Sequence, residues 1–134
     1  VKDLDFGQNQ ILVRAGKGNK DRRTMLPRTT KSKLQTHIAT ITRQHEEDVR
    51  RGHGWVVMPA ALARKYPNAG RSLAWQWVFP ASRPYYDKQA DRWYRHHYHE
   101  SAIQRAVKKA LHKAGILKAA SCHTFRHCFA THLL

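Results

Sequence analysis

Apolar residues recur at every second position near the start of the chain. Leu4 and Phe6 alternate with Asp3 and Asp5, and Ile11, Val13 and Ala15 follow the same step past Leu12 and Arg14. Period two puts one set of side chains on one face, so these runs predict half-buried strands. A third run from Arg22 to Leu26 lies between the turn Gly16-Lys17-Gly18-Asn19-Lys20 and Pro27, which makes three short antiparallel strands the natural reading. From about Thr30 to Arg51 the period lengthens. Leu34, Ile38 and Ile41 fall at helical spacing among Lys, Arg and Glu, the pattern of an amphipathic surface helix, and Gly52 and Gly54 end it.

Between about residues 53 and 94 neither period holds. This stretch carries all four Trp, four of the five Tyr and every Pro except Pro27, with one short helical stretch near Ala60 to Lys65, and it reads as an irregular, aromatic-rich insertion. Regularity returns at Ser101. Ser101 and Gln104 have capping-box spacing, Ala102, Ile103, Ala106, Val107, Ala110 and Leu111 form one stripe, and Gly115 closes the helix. Arg105, Lys108, Lys109 and Lys113 occupy its opposite face. A last helix starts near His123 and runs to the end of the chain. The predicted fold class is α+β, mainly helical: a small antiparallel three-stranded sheet followed by packed helices. There is no internal repeat and no low-complexity tract.

At 134 residues and 41% hydrophobic, the chain has the size of one domain, and one folded unit with one core is expected. Charge adds a partner. Twenty-five Lys and Arg against nine Asp and Glu leave +16, an excess that repels itself in a compact body. Nucleic acid relieves that repulsion, because neutralising phosphates releases condensed counterions; a basic soluble protein without such a partner is the bland alternative. No apolar stretch approaches the roughly 20 residues of a membrane span, and Val1 begins in sequence that reads as folded rather than as a targeting segment, so no membrane partner and a cytoplasmic location are expected. Cys122 and Cys128 suit two reduced thiols on one helix better than a disulfide. Both ends read as cut: Val1 opens in mid-pattern, and Leu134 closes inside an apolar helical run with no Gly, Pro or polar cap.

The string Cys122-His123-Thr124-Phe125-Arg126-His127-Cys128-Phe129-Ala130-Thr131-His132-Leu133-Leu134 carries the most chemistry. On a helix His123, Arg126, His127 and Ala130 share a polar face, while Phe125, Cys128, Phe129, His132 and Leu133 share a neighbouring face suited to burial. A guanidinium and an imidazole one turn apart can grip one phosphodiester: the first binds two oxygens in a fork, and the second moves a proton at a third. Phosphoryl transfer needs such groups because charge spreads over the non-bridging oxygens in its transition state. Near the other end, the two glycines of the Gly16–Lys20 turn allow a tight hairpin to enter a groove, and an ammonium at its tip can reach a developing alkoxide.

The His123-x-x-Arg126 string resembles the box around the second arginine of tyrosine recombinases, and Gly16-Lys17-Gly18-Asn19-Lys20-Asp21-Arg22 resembles their lysine-bearing β-hairpin. Three further stretches, Leu62 to Ala69, Trp75-Gln76-Trp77-Val78-Phe79-Pro80 and Arg95 to Gln104, resemble the added segment of the integron integrases within that family. The resemblance covers essentially the whole chain. It implies a partial catalytic domain over 1–134, with about 53–94 a family-specific insertion, in an enzyme of site-specific recombination that integrates and excises cassettes. It also implies strand cleavage by a tyrosine without cofactor or metal. Arg126 would clamp the scissile phosphate, His123 would support it and assist proton transfer, and Lys17 would protonate the leaving 5′ oxygen, with Lys20 an alternative in that role. In that family the added segment holds bases that protrude from folded single-stranded sites, which are recombined alongside duplex sites. Trp75, Trp77, His96 and His97 have the flat surfaces for this, and Lys20 and Arg22 the charge for the backbone. A homo-oligomer assembling on DNA is implied for the full-length protein. The family's nucleophilic tyrosine follows His-x-x-Arg. Tyr66, Tyr85, Tyr86, Tyr94 and Tyr98 all precede it, so none is assigned that role, and the 134 residues alone are expected not to cleave DNA.

Plainer readings stand beside these. The Gly-Lys-Gly hairpin is also an ordinary solvated turn, the four Trp are also ordinary core, and the basic face of the 101–114 helix is also a solvated face. A different class is a zinc-supported, non-catalytic nucleic-acid-binding module with ligands from Cys122, His123, His127, Cys128 and His132. No Cys-x-x-Cys pair stands elsewhere to complete it. An RNA-binding scaffold is disfavoured because the chain lacks the aromatic-Gly strand motifs of the usual RNA modules.

Overall fold

The computed structural model describes residues 1–132, the side chain of Lys17 excepted. The expected strands form as β1 (Leu4–Asp5), β2 (Gln10–Val13) and β3 (Arg22–Met25), antiparallel in the order β1-β2-β3. Ile11 faces Leu4 on one side and Thr24 on the other, and Val13 faces Arg22. Pro27 then caps α1 (Arg28–Arg50), which starts two residues before the expected Thr30. Proline suits a helix start because it has no N–H to leave unpaired, and Thr30 Oγ1 bonds the Pro27 carbonyl at 2.9 Å. Gly52 takes up the left-handed backbone, φ 77°, that ends the helix.

The aromatic-rich stretch of residues 53–94 is more regular than its composition suggested. The helical stretch forms as α2 (Ala60–Lys65), but a hairpin of β4 (Tyr85–Asp87) and β5 (Arg92–Tyr94) was not anticipated. Its strands are three residues long, too short for a period of two to register. The turn is held by the Asp87 carboxylate, which accepts the N–H groups of Gln89 and Ala90 at 2.8 and 3.2 Å.

Where one folded unit was expected, the chain forms two compact units, Val1 to His97 and Tyr98 onward. In the first, Leu26, Ile41 and Val56 are the buried apolar residues, and buried His45, Asp48, Gln76 and Arg95 accompany them. The Gln76 amide donates to the Gly54 and Gly70 carbonyls at 2.9 and 3.3 Å, and Val56 N–H bonds Gly70 O at 3.0 Å. These bonds hold the aromatic-rich stretch together, and Arg71 Nη2 joins it to α1 by donating to Val49 O at 2.9 Å. The second unit holds α3 (Glu100–Lys113) and α4 (Cys122–Thr131), in which no described residue is buried. The cap of α3 is His99, not Ser101: its Nδ1 accepts the Ser101 N–H at 3.2 Å and pairs with Ser101 Oγ at 2.8 Å, so the helix begins at Glu100.

Candidate nucleic-acid interface and phosphate site

The α4 helix opens with a reciprocal cap. Ser121 N–H bonds Thr124 Oγ1 at 3.1 Å, and Thr124 N–H returns to Ser121 Oγ at 3.5 Å, satisfying two of the N–H groups that every helix start leaves over. Thus His123, Arg126 and His127 fall on an ordered helix, and all three are exposed. His123 and His127 meet through their Nε2 atoms at 2.7 Å, rings nearly perpendicular at 88°. Arg126 has no ion-pair or hydrogen-bond partner among the described residues, so its guanidinium is available to an anion. The neighbouring face is not buried as expected. Phe125 is 53% and Phe129 37% exposed, because within this unit too little structure packs against α4 to cover them. Expected continuation of the helix through Leu134 lies outside the described residues. Arg105, Lys108, Lys109 and Lys113 on α3 are exposed, and Lys108 lines a cavity of about 340 Å³ together with Gln104, Ser121 and His123.

In the first unit the β2–β3 connection is a tight 3₁₀ turn over Lys17–Asn19. Gly16 N–H bonds Lys20 O at 3.0 Å and Asn19 N–H bonds Gly16 O at 2.8 Å. Gly18 sits at φ 72°, in the left-handed region that favours glycine. Lys20 and Arg22 are exposed. The Lys17 backbone is part of this turn, while its side chain lies outside what the structure describes. Lys17 and Arg126 belong to different units.

The structure brings three of the four aromatic candidates together. An antiparallel bridge pairs Pro80 with His97, and Ala81 N–H bonds His96 O at 2.7 Å. This lays Trp77 beside the His-His pair. Trp77 stacks with His96 at 6.1 Å and 9°, meets His97 edge-on at 5.0 Å, and His96 and His97 are 4.1 Å apart. Trp75 stands apart, half-buried under the Lys2 ammonium at 4.1 Å. None of the four tryptophans is fully buried: Trp77 and Trp93 are 39% exposed, and Trp55 and Trp75 are half-buried. Several aromatic contacts went unread in the sequence. Trp93 lies against Tyr86 and His53, and Arg92 covers Trp55 at 4.3 Å. The doublets Tyr85-Tyr86 and Trp93-Tyr94 were the signal that could have found them.

The zinc-module reading requires its Cys and His residues to converge. Among the described residues no three His, Cys, Asp or Glu side chains group in a way that could hold a metal, and both cysteines are free and exposed. No described helix is long and apolar enough to cross a membrane. The whole chain, residues 1–134, matches the phage integrase family. Two curated proteins named "Integrase/recombinase", from Escherichia coli and Pseudomonas aeruginosa, are each 44% identical to it over 134 residues. The match covers 100% of this chain and 40% of each relative, so the chain spans well under half the length of these proteins. An exposed His-x-x-Arg helix and a glycine-flanked lysine hairpin, within a match running from the first residue to the last, lead to one conclusion: the chain belongs to the phage integrase family, the tyrosine recombinases.

Proposed function

We propose that these residues are part of the catalytic domain of a site-specific DNA recombinase that cuts and rejoins strands through a tyrosine contributed from outside the 134 residues. The tyrosine hydroxyl attacks the scissile phosphorus, a 3′-phosphotyrosyl bond forms, and the bond to the 5′ oxygen breaks. Arg126 binds two non-bridging oxygens, His123 supports the same phosphate and assists proton transfer at the nucleophile, and Lys17 hands a proton to the departing 5′ oxygen. Rejoining runs these steps backwards on a second strand, within an oligomer assembled on DNA, with no cofactor required. The observation that carries this reading is the Arg126 guanidinium, which has no hydrogen-bond or ion-pair partner among the described residues, one turn from His123 on a capped helix.

In the full-length recombinase, Arg126→Ala should lower single-turnover cleavage by a hundredfold or more, about the loss seen when one charge-stabilising donor is removed. DNA binding should fall only modestly. Equal losses in binding and cleavage would reduce Arg126 to a positioning contact.

We further propose recombination of the integron type, in which cassettes are exchanged at folded single-stranded sites. The Trp77–His96–His97 cluster favours this reading, since it offers a stacking surface where Trp77 and the exposed His96 lie nearly parallel.

A further inference from the structure

We infer that His127 is a positioning residue for His123, setting through its Nε2 the tautomer that His123 presents to the phosphate. This role presupposes the strand-exchange reading of His123 given above. The two imidazoles stand four residues apart on α4, with ring centroids at 4.3 Å and Nε2 to Nε2 at 2.7 Å. A hydrogen bond between two ring nitrogens holds a single hydrogen, so one Nε2 must present a lone pair while the other donates. Nδ1 is then the His123 nitrogen left for substrate, and it has no partner among the described residues. When His127 donates, neutral His123 carries its hydrogen on Nδ1 and offers it to a phosphate oxygen. When His127 accepts, neutral His123 offers an Nδ1 lone pair to the nucleophile's hydroxyl. When the nucleophile's proton arrives at Nδ1, the shared hydrogen shifts to His127, which then carries the positive charge; it shifts back as Nδ1 releases its proton to a phosphate oxygen, so the pair passes one proton without His123 turning. A second proton would leave two donors facing each other and break the contact.

The neighbouring groups are few. From α3, Lys108 and Gln104 line the cavity that His123 and Cys122 share, and Arg126 flanks the pair on α4 itself. No carboxylate lines that cavity, so His127 is the acceptor or donor that orients His123, the part a carboxylate or carbonyl plays for many functional imidazoles.

The test compares His127→Phe with His127→Gln in the full-length recombinase, using single-turnover cleavage across pH and a separate binding measurement. Phe keeps bulk and cannot bond; the Gln amide reaches about as far as Nε2. His127→Phe should slow cleavage about 10- to 100-fold, the cost typical of losing an orienting partner, with affinity changed less than about twofold. Its pH–rate profile should shift on the acid side, and His127→Gln should recover most of the rate. Nitrogen-15 spectra of histidine-labelled protein should show the His123 tautomer ratio changing in the Phe variant. Wild-type cleavage with an unshifted profile in His127→Phe overturns the role, as does a Gln variant no better than Phe. Arg126→Ala in parallel separates the two readings: if it is inactive while His127→Phe behaves as wild type, only the role of His127 falls, whereas normal cleavage by Arg126→Ala sinks strand exchange at this site and His127 with it.

Discussion

Asp48 of α1 pairs with Arg95, just after β5, from 47 residues apart: Arg95 Nε and Nη2 reach the two carboxylate oxygens at 2.6 and 2.8 Å, and Nη1 donates to Ala81 O at 2.7 Å. Each is only 7% exposed. Breaking such a pair leaves a buried charge without compensation, so Asp48→Ala should cost about 3–5 kcal/mol, measurable by chemical denaturation. A variant within about 0.5 kcal/mol of wild type would show that water replaces the carboxylate. Neither residue announced itself in the sequence, where Asp48 sits in a run of charges and reads as solvated. His45, one turn earlier, is also buried, with Nδ1 lacking a partner. Burial pushes its imidazole below the ordinary value of 6.5, outweighing the opposing effects of the Arg71 backbone and Asp48. The unfolded chain then takes up a proton at a pH where the folded chain does not, so this contribution to stability is full above 6.5 and lost as pH falls toward the lowered value. The melting temperature should drop between about pH 7 and pH 5.5, less steeply in His45→Gln; identical slopes would remove His45 from the acid response.

Among elements, those with strong periodicity were the most legible. Strands β1 and β2 and the body of α1 follow from the spacing of Leu, Ile and Val, because solvent on one side and protein on the other imposes that spacing. The β4–β5 hairpin and the His99 cap do not. The former is too short to show a period, and the latter uses an imidazole where Ser101 was the more usual cap. Short elements also decide the aromatic cluster, since the Pro80–His97 bridge carries Trp77 to His96 and His97. If that surface receives unpaired bases, the double substitution His96→Ala, His97→Ala should weaken binding to a bulged hairpin by about tenfold or more, given about 1–3 kcal/mol per stacked base. Ordinary duplex should bind nearly as before. Parallel losses on both substrates would withdraw the two histidines from base recognition.

For the molecule as a whole, the dominant quantity is the charge of +16. Each phosphate neutralised releases counterions, so duplex affinity should fall about a hundredfold or more between roughly 50 and 200 mM salt. A flat response in a filter-binding or anisotropy titration would mean that the basic residues do not line the nucleic-acid surface. Charge, the strand and helix periods, the His-x-x-Arg spacing and the glycine-flanked hairpin were determined by the sequence alone, because each is a property of neighbouring residues or of their sum. Only the tertiary structure decided that Asp48 pairs with Arg95, that Trp77 joins His96 and His97 while Trp75 stays apart, and that α3 and α4 form a unit separate from the sheet. Those outcomes depend on which distant surfaces exclude water together, and the backbone bridges that bring such surfaces together leave no pattern in the residues they join.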